Sequence, residues 1–76
     1  MKTKDKYTAE FARRLRALMG AANISQAELA RRIGLHESTM TGYYNGKSVP
    51  NGYTIAKMVE VLDVDANKLL GVKRRG

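Results

Sequence analysis

His36 is the only imidazole in a chain of 76 residues, and there is no cysteine. A single histidine moves protons or binds metal only in company. No pair of carboxylates converges on it in sequence, no glycine-rich phosphate loop is present, and no nucleophile, base and orienting group can be assembled. Disulfide bracing and thiolate metal sites are excluded by composition. The sequence therefore predicts no enzyme, no cofactor, no metal and no small-molecule substrate. What the residues can do is attract anions. Fourteen lysines and arginines face seven acidic residues, for a net charge of +7.

The distribution of that charge is uneven. Residues 1–48 carry nine basic and four acidic residues, whereas residues 49–72 carry two and three, and Lys73, Arg74 and Arg75 close the chain. A basic amino-terminal half beside a nearly neutral segment suggests one polyanion-facing side. Charge alone is equally consistent with a surface that keeps a protein in solution. Arg13, Arg14 and Arg16 could touch phosphates, but on this basis a solvated face is the reading adopted. No apolar segment follows the amino-terminal lysines, so no signal peptide is expected. No apolar run approaches the roughly 18 residues that cross a bilayer, so no membrane role is expected.

These charges need a scaffold, and the hydrophobic spacing predicts one that is wholly helical. Residues 1–7, with Lys2, Lys4 and Lys6, read as a flexible basic arm. Thr8 is a suitable cap for a first helix whose apolar face is Tyr7, Phe11, Leu15, Leu18 and Ala22, ending at Asn23. Ser25 caps a short second helix, with Glu28 placed to complete a reciprocal capping box and Leu29 and Ile33 facing inward. Gly34 supplies a left-handed stop. A third helix starts near His36 or Glu37 and runs to Tyr44, with Met40 and Tyr43 inward and Asn45-Gly46 closing it. Asn51 caps a fourth, whose stripe is Ile55, Met58, Val59 and Leu62, stopped at Asp63. Asp65 caps a last helix with Leu69 and Leu70, ended by Gly71. Tyr7 and Tyr53 are expected half-buried with wet hydroxyls. The expected division is an arm over 1–7, one domain over 8–71 and a basic tail over 72–76.

Two short helices joined by a tight glycine turn, with small Ala30 at their crossing, make the segment 25–44 a candidate helix-turn-helix. The run Ser25-Gln26-Ala27-Glu28-Leu29-Ala30, then Ile33-Gly34, Asn45-Gly46-Lys47-Ser48 and Pro50, resembles the lambdoid phage repressor and Cro-type (XRE-like) family. Leu62-Asp63-Val64-Asp65 and Leu69-Leu70-Gly71 resemble that family's closing helix. The likeness covers roughly residues 8–71.

The resemblance implies a five-helix all-α DNA-binding domain and a repressor that binds a (pseudo)palindromic double-stranded operator as a homodimer, through Val64 to Val72. It implies a phage or bacterial setting, with the protein at nucleoid DNA in the cytoplasm. By position it assigns His36, Glu37, Ser38, Thr41 and Gly42 to base contacts. It assigns Ser25, Gln26, Tyr44, Asn45, Lys47 and Ser48 to the DNA backbone. Where the family often has an Arg–Glu pair, this chain has Met19 and Tyr44; both charges are absent together, and the two side chains are expected to touch. The alternative is a related module, of antitoxin or coactivator type, that holds a partner protein.

Overall fold

The structure, a computed structural model, describes the backbone of residues 3–72 and the side chains of residues 6–72. Five helices follow in order: α1 Thr3–Ala22, α2 Gln26–Ile33, α3 Glu37–Tyr44, α4 Gly52–Leu62 and α5 Ala66–Leu70. No strand occurs among the described residues. The fold class is the all-helical one expected from the spacing.

Four of the five helices start and stop where local chemistry predicts. Ser25 Oγ accepts from the Glu28 amide, Asn51 Oδ1 from the Thr54 amide and Asp65 Oδ1 from the Asn67 amide. Each satisfies an amide that the first turn of a helix leaves without an internal partner. The stops share one device. Asn23, Gly34, Gly46 and Asp63 all take positive φ. After each, the next amide reaches back five residues: Ile24 to Met19, Leu35 to Ala30, Lys47 to Gly42 and Val64 to Val59, at 2.9–3.2 Å. This is the Schellman arrangement, and its next residue is commonly apolar and packed against the helix it follows. Ile24, Leu35 and Val64 obey, each half-buried against the core. Lys47 is the exception and stands exposed.

The first helix departs from expectation. It begins at Thr3, so Thr8 lies inside it and is buried rather than capping it. Nothing between Thr3 and Thr8 breaks a helix, since the segment holds neither Pro nor Gly. Helix therefore covers residues 3–7 of the segment expected to be an irregular arm. Lys73, Arg74 and Arg75 of the expected tail lie outside the described residues. The buried face of α1 is also rotated from the expected stripe. Thr8, Phe11, Ala12, Leu15 and Met19 are buried, whereas Tyr7 and Ala22 are exposed. Packing on two sides, against α3 and its following loop as well as α5, selects this face over the stripe that hydropathy alone favours.

All five helices feed one core. Phe11, Leu15 and Met19 meet Leu29 and Ala30 of α2, Met40 of α3, Met58 and Leu62 of α4, and Leu69 of α5. Phe11, Leu15, Leu29, Met40, Met58 and Leu69 are the largest side chains fully withdrawn from water. A chain this short has little interior to spare, so each of these positions carries a large share of its stability. Tyr53 is 70% exposed, not half-buried. It sits in the first turn of α4, where the core-facing places belong to Thr54 and Met58.

Candidate nucleic-acid interface

The α2–α3 corner is rigid because its turn is short and its inner side is sealed. Gly34, at φ 80°, ends α2 and returns its amide to the Ala30 carbonyl. Only Leu35 and His36 then separate it from α3. Ala30, 2% exposed, occupies the position where a longer side chain would force the two helices apart. Met40 anchors the other side of α3 with no exposed surface.

With that side sealed, the amino end of α3 faces outward. His36, Glu37 and Ser38 are all exposed. His36 precedes the helix and makes no capping bond with its side chain. Thr41 and Gly42 lie deeper and are half-buried. The Thr41 hydroxyl points back to α2, 3.1 Å from Gln26 Oε1 and 3.0 Å from the Glu37 carbonyl.

The loop after α3 folds against the same surface. Lys47 donates its amide to the Gly42 carbonyl at 2.9 Å, and the Ser48 hydroxyl lies beside Gly42. Gly46 is pressed onto α1: a Cβ there would stand 3.4 Å from Ala9 Cα and from the Thr8 carbonyl. The loop is thus clamped from below by α1, and Asn45, Lys47 and Ser48 are exposed on its outer side. Here the apolar residue found after the other left-handed stops has been given up for a lysine. Structure does not ask for a cation at this position, which makes Lys47 a candidate for function.

Between α1, α2 and α3 lies an open depression of about 550 Å³, lined in part by Arg16, Ser25, Gln26, Glu37, Thr41 and Tyr44. Five of these six were assigned to DNA contact from sequence. Arg16 was not; a solvated face was preferred for it over phosphate contact. Its guanidinium donates to the Tyr44 carbonyl at 2.7 Å and lies 5.7 Å from the centroid of the Tyr44 ring. Met19, 3% exposed, belongs to the core and lines the same depression, but the hydrogen bond to Tyr44 comes from Arg16, one turn earlier on α1. The signal available in sequence was the position of Arg16, one helical turn before Met19 on the same helix.

The remaining arginines of α2 are neutralised locally. Arg31 and then Arg32 hydrogen-bond the Glu28 carboxylate and pull its pKa from the ordinary 4.5 down to about 2. Glu28 in turn raises the pKa of Arg31. The reciprocal half of the capping box expected for Glu28 is therefore not formed, because two cations hold its carboxylate on the helix surface.

Among the described residues, no three His, Asp or Glu side chains come together as a metal site, and no helix is long and apolar enough to cross a membrane. Comparison with protein families finds a helix-turn-helix domain, of the XRE/Cro-like type, over residues 10–70. The chain belongs to the helix-turn-helix family. The family assignment points to a DNA-binding regulator. The helix-turn-helix domain is also 43% identical over 53 residues to multiprotein-bridging factor 1c of Arabidopsis thaliana. The match takes in 70% of this chain and 30% of that protein.

Proposed function

We propose that this helix-turn-helix domain is a sequence-specific, DNA-binding transcriptional repressor that seats α3 in the major groove of a (pseudo)palindromic operator. One observation carries the reading: His36, Glu37 and Ser38 stand exposed at the amino end of a short helix whose other side is sealed by Met40. A helix held so firmly can present its first turn to base edges with little ordering on binding. Glu37 offers an acceptor suited to cytosine N4, and Ser38 can donate or accept. Thr41 and Gly42 follow further along the same helix. Ser25, Gln26, Tyr44, Asn45, Lys47 and Ser48 flank these groups and supply contacts to the phosphate backbone.

Eight residues of α3 span only a few base pairs, so two copies acting one helical turn apart is the reading we adopt. The contact between copies is proposed at Val64 to Val72, where Val72 is 58% exposed and Val64 and Leu70 are half-buried. The proposed place of action is cytoplasmic, nucleoid-associated DNA.

Selection of bound duplexes from a random pool tests this directly. The expected product is an inverted repeat with half-site centres about 34–36 Å apart. A single half-site overturns the dimer, and a pool without enrichment overturns sequence recognition. Repression is checked separately, with the selected site placed over a reporter promoter. A second reading, a module that holds partner proteins, is favoured by the name of the plant relative. It predicts an unenriched pool and a complex with protein that survives DNase treatment.

A further inference from the structure

Arg16 brings a positive charge to the candidate interface without an acidic partner among the described residues. Its two contacts, the Tyr44 carbonyl and the Tyr44 ring, are both neutral. The paired arginines differ: Arg14 faces Glu10 at 3.5 Å, and Arg31 and Arg32 share Glu28. At Arg16 the chain therefore keeps a net cation. That cation is also held in place. The carbonyl and the ring restrict the rotamers of a side chain that would otherwise lose considerable entropy on binding. A guanidinium has five N–H donors in a fixed fork, and the Tyr44 carbonyl engages one Nη. Arg16 is exposed, so the remaining donors are open to an external acceptor.

The surroundings point to an anion presented by a larger body. Arg16 lines the same depression as Ser25 and Gln26. Gln26 Oε1 shares the single Thr41 hydroxyl proton with the Glu37 carbonyl, and Gln26 Nε2 is a donor for which no bond is made to Thr41. Glu37 lines the depression too, so a small diffusing anion meets opposed charges there. A phosphate positioned by the rest of a duplex can be delivered to the Arg16 side alone.

We propose that Arg16 binds a backbone phosphate of the DNA duplex, beside Gln26, and that Tyr44 holds it ready to do so. This rests on the DNA-binding reading above. The test is the salt dependence of binding between 50 and 200 mM, measured on the selected site and on random duplex, for the unsubstituted protein, Arg16→Gln, Arg16→Lys and Arg14→Gln. Arg16→Gln is expected to reduce the magnitude of the log–log salt slope by about 0.9, so that a fourfold rise in salt weakens it about 3.5-fold less. The affinity loss should be equal on both duplexes. Arg16→Lys should retain the slope, and Arg14→Gln, whose cation lies toward α5, should leave it unchanged. Tyr44→Leu keeps the carbonyl and the charge but removes the ring; it should lower affinity with the slope intact, which tests the holding role if Arg16→Gln folds poorly. A full slope in folded Arg16→Gln, or an equal fall in Arg14→Gln, overturns the phosphate contact while leaving DNA binding standing. If the unsubstituted protein binds no duplex, the DNA-binding reading fails, and this inference with it.

Discussion

The Thr41 hydroxyl lies 3.1 Å from Gln26 Oε1 and joins α3 to the first residue of the helix before it. A side chain that its position alone would assign to reading bases is, in the free domain, occupied in orienting another. Thr41→Val, nearly isosteric, should therefore weaken binding to all duplexes several-fold and leave base preference unchanged, whereas Thr41→Ser should retain affinity. Competition among single-base variants of the selected site checks this. A changed preference at one base position would return Thr41 to direct base contact.

Lys47 and Ser38 should separate affinity from reading. Lys47 follows the one left-handed stop without an apolar residue behind it, and it is exposed. Lys47→Ala is expected to weaken binding to every sequence and to reduce the salt slope by about one. Gln26→Ala should also weaken binding uniformly. Ser38→Ala and Glu37→Ala should change preference at individual base pairs, each by about 1–3 kcal/mol. A Lys47 effect confined to one sequence would contradict this assignment.

The glycine stops differ in what surrounds them. At Gly34 an added Cβ meets nothing within 4 Å, so Gly34→Ala should lose only the left-handed backbone strain, about 1–2 kcal/mol. At Gly71, also left-handed, the Cβ would overlap the Arg14 guanidinium. Those atoms are the far end of a flexible side chain that can swing aside, so Gly71→Ala should cost about as much as Gly34→Ala, and the same in an Arg14→Ala background. Urea unfolding of the four proteins in this cycle measures the coupling. A smaller cost in the Arg14→Ala background would mean that Arg14 is held in place and does not move aside.

Glu28 makes one part of stability depend on acid. Its folded pKa, about 2, lies below its ordinary 4.5 because Arg31 and Arg32 hold the ionised form. Its contribution is complete above about pH 4.5 and is lost as pH falls through about 2. The stability difference between the unsubstituted protein and Glu28→Gln should be present at neutral pH, shrink below about pH 4.5 and disappear below about pH 2. The group is on the surface, so raising salt should also reduce it. A difference that persists unchanged into strong acid would assign it to something other than the carboxylate charge.

The limits of α2, α3, α4 and α5 were legible because they are decided within a few residues. A Ser, Asn or Asp oxygen satisfies an amide two or three positions later, and a Gly or Asp at positive φ turns the chain out of a helix whatever lies beyond. The same local reasoning misplaced the start of α1. Thr8 has the chemistry of a cap, but chemistry at one position does not stop a helix that has continuous helical residues on both sides. Tyr53 was misjudged for a related reason: hydropathy does not say which side of a first turn the core will take.

Sequence alone determined that the fold is all-helical, that it carries no thiol chemistry, and that a glycine corner projects a short polar helix. Those properties follow from residue type and from spacings shorter than two helical turns. The tertiary structure decided what Arg16 and Thr41 do. Arg16 reaches a carbonyl 28 residues away and Thr41 an amide 15 residues away, after Leu29, Ala30 and Met40 have packed and set the distance between their helices. An arginine on a helix is a solvated charge until another element is brought beside it. Here that element is the end of α3, and its position depends on core packing that no local rule encodes.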